Sequence, residues 1–210
     1  MKWYWVRTHS LVKRLLSGYI WDVPNKDNHV YLTFDDGPTP QITDFVLDEL
    51  AKHDARATFF CIGKNVRENQ ELFERISASG HAIGNHTDSH LNGWNTPLRV
   101  YLQNIADCEK AIGTANGYKL FRPPYGKLTR AQLTAVKALG YKTIMWDVLS
   151  ADFDTSITPE KCLQNVLRNV RPGSIVIFHD SQKAEKNLRH ALPATLEFLK
   201  EKGMKAMPLF

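Results

Sequence analysis

The chain has 210 residues, a formal net charge of +5 and 43% apolar residues. That fits one globular domain with a sizeable core and excludes a disordered or low-complexity chain. The basic residues are scattered, without a dense run or a nucleic-acid motif, so no nucleic-acid partner is expected.

The N-terminus reads MKWYWVRTHSLVKRLLSGYIWDVP. Arg7, Lys13 and Arg14 interrupt its apolar residues, so no secretory signal is expected, and no window is long enough to span a membrane. A cytoplasmic location is therefore favoured, with the cell envelope as the alternative. Val12, Leu16 and Ile20 recur at helical spacing, as do Leu11, Leu15 and Tyr19. The expected result is a short helix packed on the domain; the alternative is a basic amphipathic helix weakly associated with a membrane surface. Residues 1–25 thus read as an extension and 26–210 as the main domain.

Strands and helices then alternate. Val30–Phe34 reads as a strand, and Thr39-Pro40 as a helix start with Ile42, Phe45, Val46 and Leu50 on one face. Ala57–Ile62 is a second strand, and Leu72, Phe73 and Ile76 mark a helix ended by Gly80. His81–Asn85 is a third strand; Tyr101, Ile105, Cys108 and Ile112 mark the next helix. Leu120-Phe121 is a brief strand cut off by Pro123-Pro124, and Thr129 caps a helix carrying Leu133, Val136 and Leu139. Tyr141–Trp146 is a strand, Thr158-Pro159 starts a helix, and Ser174–Phe178 is a strongly apolar strand. A last helix runs to about Lys202, before a closing strand over Lys205–Leu209. About seven apolar strands separated by amphipathic helices imply a parallel α/β sheet, either a barrel or an open doubly wound sheet. Cys61, Cys108 and Cys162 are far apart and read as free buried thiols, which mildly favours a reducing compartment.

Polar residues follow the strands. Asp35 and Asp36 follow the first, His86 and His90 the third, Arg122 the fourth, Asp152 the fifth and His179 the sixth. In parallel α/β folds these positions converge on one face. Adjacent carboxylates such as Asp35-Asp36 repel unless a cation is near; the bland alternative is a solvated turn. His86 and His90, at i and i+4, would share one face of a helical turn and suit chelation, with Asp88 between them as a cap or supporting group. Arg122 offers a rigid fork for a carboxylate, and Pro123-Pro124 stiffen the loop that aims the following N–H groups. His179 ends an apolar strand, where a carboxylate can tune it; Asp180 could orient it. His9, His29, His53, His81 and His190 read as surface or structural. Trp94, Tyr125, Trp146 and Phe153 are aromatic residues beside these motifs and read first as core or loop packing.

The ordered set TFDDGP, H-T-D-S-H, R-P-P-Y and IVIFHD, spanning Thr33 to His179, resembles the motifs of polysaccharide deacetylases. These are the carbohydrate esterases of family four, with the NodB homology domain. The resemblance implies a distorted (β/α)7 barrel over residues 26–210 and one divalent metal ion, Zn2+ first, with Co2+ or Ni2+ as alternatives. It implies Asp36, His86 and His90 as metal ligands, Asp35 as general base, Arg122 as its orienting partner and His179 as general acid. The Tyr125 backbone N–H, in the loop set by Pro124, would bind the oxyanion. Around the fifth strand the chain departs from the family's W-x-x-D-x-x-D-W pattern: Asp152 matches the last Asp, Leu149 replaces the middle one, and Phe153 replaces the final Trp. The middle Asp tunes the acid histidine in several members; Asp152 and Asp180 are the candidates to compensate for its absence. The implied activity is removal of N-linked acetyl from an N-acetylglucosamine-type glycan. Other acyl groups (N-formyl or O-acetyl) and a non-catalytic sugar-binding module are the alternatives.

Overall fold

The computed structural model describes residues 4–113 and 119–210. Its parallel strands are β1 (His29–Asp35), β2 (Thr58–Cys61), β3 (Ala82–Asn85), β4 (Leu120–Phe121), β5 (Lys142–Thr143), β6 (Val148–Leu149), β7 (Ile175–His179) and β8 (Lys205–Ala206). The order is β5-β4-β3-β2-β1-β7-β6, with β8 paired to the start of β1. The curled sheet and its helices form a distorted (β/α)7 barrel. The helices are α1 (Ser10–Leu15), α2 (Ile42–Lys52), α3 (Gly63–Glu68), α4 (Gln70–Ala78), α5 (Leu98–Ile112), α6 (Arg130–Ala138), α7 (Pro159–Leu167) and α8 (Glu185–Glu201).

The two-residue period of a strand sorts the side chains. In β1, Val30, Leu32 and Phe34 join the outer core under the helices, with Val46, Val166 and Leu188. Phe34 stacks on Phe59 and Phe178 at 5.1 and 6.0 Å. Tyr31 packs with Phe60, Ile144 and Ile175 in a second cluster inside the barrel. The same parity turns Thr33 and Asp35 inward on β1, and Ile177 and His179 on β7. A carboxylate and an imidazole are thereby committed to the barrel mouth by strand register.

Several boundaries differ from the sequence reading. Thr39-Pro40 is a turn, not a helix start: Thr39 C=O accepts from Ile42 and Thr43 N–H, and α2 begins after Gln41, whose φ is 67°. The Asp44 carboxylate accepts from Gln41 N–H at 2.8 Å and fixes that start. The expected strand over Tyr141–Trp146 is cut to Lys142–Thr143; beyond it Ile144 still donates to Phe121 C=O at 2.8 Å and bridges Ile20 on its other side. Helix α3 and strand β6 had no sequence signal. Thr129 and Thr158 cap α6 and α7 as expected. The three cysteines are free and buried.

The N-terminal helix is shorter than its apolar spacing suggests, and none of its residues is buried. Leu11, Leu15 and Leu16 are exposed. The flanks of the helix make the attachment instead. Arg7 bridges Val148 on one free sheet edge, and Ile20 bridges Ile144 beyond the other. Lys13 reaches inward to Asp22 and to the fully buried Asp147. The segment therefore stitches together the two edges that the seven-stranded sheet leaves open, which removes unpaired backbone from both. Among the described residues no helix is long and apolar enough to cross a membrane.

Candidate active site

A cleft of about 860 Å³ opens at the carboxyl-terminal mouth of the barrel. Asp35, Asp36, His86, His90, Tyr125 and His179 all line it. Arg122, Asp152 and Pro124 are buried behind its wall.

Asp35 ends β1 and is 2% exposed. Arg122, fully buried over the Phe60 ring, donates to Asp35 Oδ1 and to Thr33 Oγ1, both at 2.7 Å. Its other nitrogens donate to the carbonyls of Ile144 and Met145. The guanidinium is thus fixed on four acceptors, and burial, opposed by Asp35, lowers its pKa. One carboxylate oxygen of Asp35 is held while the other stays on the cleft side.

Asp36 follows with φ 85°, turned away from Asp35. The turn is pinned by Gly37 N–H, which donates to Asp180 Oδ1 at 3.0 Å, and by Asp180 N–H, which donates to Asp35 C=O at 3.0 Å. Glycine is required at position 37: a Cβ there would fall 1.9 Å from Asp180 Oδ2. Burial, chiefly, lifts the Asp180 carboxyl to about 7. Asp180 therefore holds this turn, together with Thr43, and does not orient His179.

His86 and His90 do not lie on a helical turn. Thr87 and His90 have φ of 63° and 56°, and the loop is tied by Asn85 Oδ1, Asn104 Oδ1 and the carbonyls that bind α3. The two rings still meet, with centroids 5.0 Å apart. Asp88 neither caps nor faces the cleft; it pairs with Arg67 at 2.6 and 3.0 Å. His86 Nδ1 bonds Arg122 C=O at 2.8 Å, which orients Nε2 toward the carboxylates. Burial and the neighbouring His90 push the His86 pKa down to about 3, so the ring is neutral and its lone pair is free.

Asp36 Oδ1 lies 3.6 Å from His86 Nε2 and 3.3 Å from His90 Nε2. That oxygen is buried and has no hydrogen-bond partner. A buried carboxylate oxygen left unpaired is costly. The ligand atoms of the three residues lie within 4.8 Å of one another. One carboxylate and two imidazoles form a donor set that a divalent cation fits.

On the opposite wall, His179 Nδ1 is 2.8 Å from Asp152 Oδ1, and His179 N–H donates to Asp152 Oδ2 at 2.7 Å. Phe153 meets the ring edge-on at 5.1 Å. Burial alone would lower the imidazole pKa, but Asp152, with help from Asp36 and Asp35, carries it up to about 9. Of the two carboxylates open as partners of His179, Asp152 is the one that pairs with it. Leu149 instead forms an apolar wall with Ile177 and Trp146.

Tyr125 sits in left-handed backbone at φ 60° after the two prolines, 4.6 Å from the His90 ring. Tyr125, Trp146 and Phe153 line the cleft, but Trp94 does not: it bonds Leu128 C=O and lies under Lys127. Residues the sequence reading missed include Tyr4, Asn65 and Lys183. Lys183 follows β7 and was open to the same strand-end rule; Tyr4 carried no signal. His81, read as structural, accepts from Ala57 N–H, and burial lowers its pKa to about 4.

Fold and site together define a seven-stranded α/β barrel with a candidate metal centre at its mouth. The family model for polysaccharide deacetylases matches residues 22–144, and the chain belongs to that family. A peptidoglycan-N-acetylglucosamine deacetylase of Bacillus cereus is 36% identical over 190 residues, covering 89% of each chain. A chitooligosaccharide deacetylase of Azorhizobium caulinodans is 34% identical over 161 residues, covering 75% of this chain and 76% of the relative. Among solved structures, a peptidoglycan N-acetylglucosamine deacetylase in complex with 4-naphthalen-1-yl-N-oxidanyl-benzamide superposes with a TM-score of 0.85 at 32% identity, covering 91% of each chain.

Proposed function

We propose that this chain is a metal-dependent hydrolase that removes N-linked acetyl groups from an N-acetylglucosamine-type glycan, of peptidoglycan or chitin-like kind. The observation that carries the reading is the arrangement around the unpaired Asp36 Oδ1: a carboxylate held by Arg122 on one side and an imidazole held by Asp152 on the other. In this reading residues 26–210 are the catalytic domain and 1–25 its extension.

Asp36, His86 and His90 would hold a divalent cation, Zn2+ first by donor type, which would supply Lewis acidity at the site. Asp35 is the general base. Arg122 fixes its Oδ1 and leaves Oδ2 to take a proton from the attacking water. Tyr125 N–H stabilises the oxyanion as the carbonyl becomes tetrahedral. His179, cationic at neutral pH through Asp152, gives its proton to the departing sugar nitrogen as the C–N bond breaks. The products are acetate and a free amino sugar.

Elemental analysis of the purified protein, coupled to an acetate-release screen over N-acetylglucosamine glycans, tests this reading. About one metal per chain and acetate from at least one glycan are expected. Full metal with no acid released from N-acetylated, N-formylated or O-acetylated glycans would sink it.

A further inference from the structure

The segment over residues 4–8 reaches further than the sheet edge it seals. Leu149 N–H donates to Val6 C=O at 2.8 Å, and Thr8 N–H donates to Asp147 C=O at 2.9 Å. Thr8 Oγ1 donates to Trp146 C=O at 2.8 Å. These bonds hold the segment antiparallel to β6 and deliver Tyr4 to the cleft.

The Tyr4 side chain is fixed at both ends. Its ring meets Phe153 edge-on at 6.1 Å and packs on the cluster of Leu149, Ala151 and Ile177. Its hydroxyl donates to Asp154 Oδ2 at 3.1 Å. Asp154 is 3% exposed, and its Oδ1 accepts from Ser156 N–H and Oγ–H at 3.1 and 2.7 Å. The cleft therefore has a polar wall, with Asp35, Asp36, His86 and His90, and an apolar wall of Tyr4, Leu149, Phe153 and Ile177. An acyl group reacting beside the polar residues can turn its alkyl part toward this apolar wall.

We propose that Tyr4 is a specificity-determining residue: carried in by the N-terminal segment, its ring limits the length of the acyl chain that the cleft accepts. This rests on the hydrolase reading above. The contacts of Tyr4 with Phe153, Asp154 and the apolar cluster involve no residue assigned to the metal or to proton transfer, so its effect falls on which substrate is used.

The test compares the unaltered protein with Tyr4→Ala, Tyr4→Leu and Tyr4→Phe on glucosamine oligomers bearing N-acetyl or N-butyryl groups. Tyr4→Ala is expected to raise the butyryl-to-acetyl ratio of kcat/KM about tenfold, the scale on which an apolar pocket discriminates by methylene groups. Tyr4→Leu moves it the same way by less, and Tyr4→Phe, which loses only the Asp154 bond, leaves it within about twofold. An unchanged ratio in Tyr4→Ala and Tyr4→Leu, with melting temperatures like the unaltered protein's, overturns the inference. If no protein in the set releases acid from either glycan, the hydrolase reading falls by itself. Calorimetric binding of the same oligomers then decides: a shift of preference toward butyryl in Tyr4→Ala upholds the inference, and none overturns it.

Discussion

The two halves of the site differ in how their polar atoms are satisfied. On the flanks, Asp35 with Arg122 and His179 with Asp152 are closed pairs at 2.7 and 2.8 Å. In the centre, Asp36 Oδ1 faces two imidazole nitrogens at 3.3 and 3.6 Å and bonds to neither. Both regions are built from the same residue types, so chemistry alone does not separate them. The difference teaches that the flanks are organised by the protein for the protein, while the centre is organised for something that comes from outside.

The comparison breaks first at the centre. His86→Ala removes one of three donors, so bound metal should fall to background in elemental analysis and acetate release should vanish with it. Retained metal at normal stoichiometry would move the ligand set elsewhere. On the first flank, Asp35→Asn should lower kcat about 10³-fold while leaving metal content unchanged, as expected for loss of a general base. Wild-type rates in that variant would remove Asp35 from its role.

On the second flank, Asp152→Asn should cost about 10²-fold in kcat and should be visible without substrate. In the metal-free protein, the His179 ring should titrate at about 9 by NMR and fall toward or below its ordinary 6.5 once Asp152 is neutral. The sign for stability follows. The folded pKa lies above the unfolded one, so the pair's contribution is complete below about 6.5 and is lost as the pH rises through about 9. A ring that titrates near 6.5 in both proteins would contradict the pairing. The smallest effect sharpens the contrast: free Zn2+ at about 100 times its dissociation constant should add about 2.7 kcal/mol of stability, or about 5–10 °C in melting temperature. The same addition to His86→Ala should leave the melting temperature where it was.

Much of the barrel and most of the site could be read from the sequence, because strand parity and strand ends are local properties. Alternation in VYLTFD and SIVIFH already commits Asp35 and His179 to one side, and the strand-end rule gathers His86, His90 and Arg122 beside them. What could not be read depends on distant partners. The spacing of His86 and His90 suggested a helical turn, yet Asn85, Asn104 and the start of α3 hold the loop in left-handed backbone. β6 is two residues long and exists because β7 and the N-terminal segment flank it. The choice between Asp152 and Asp180 as partner of His179 was open in sequence; it is settled by Gly37 and Thr43 occupying Asp180.

The stitching of residues 7 and 20 to residues 148 and 144 sets an order on how the molecule can be completed. During synthesis their partners emerge more than a hundred residues after them. Until then the basic, apolar-rich segment lacks these two partners, and such long-range closure is slow. The nascent chain therefore carries its seam exposed until β5 and β6 have both been made.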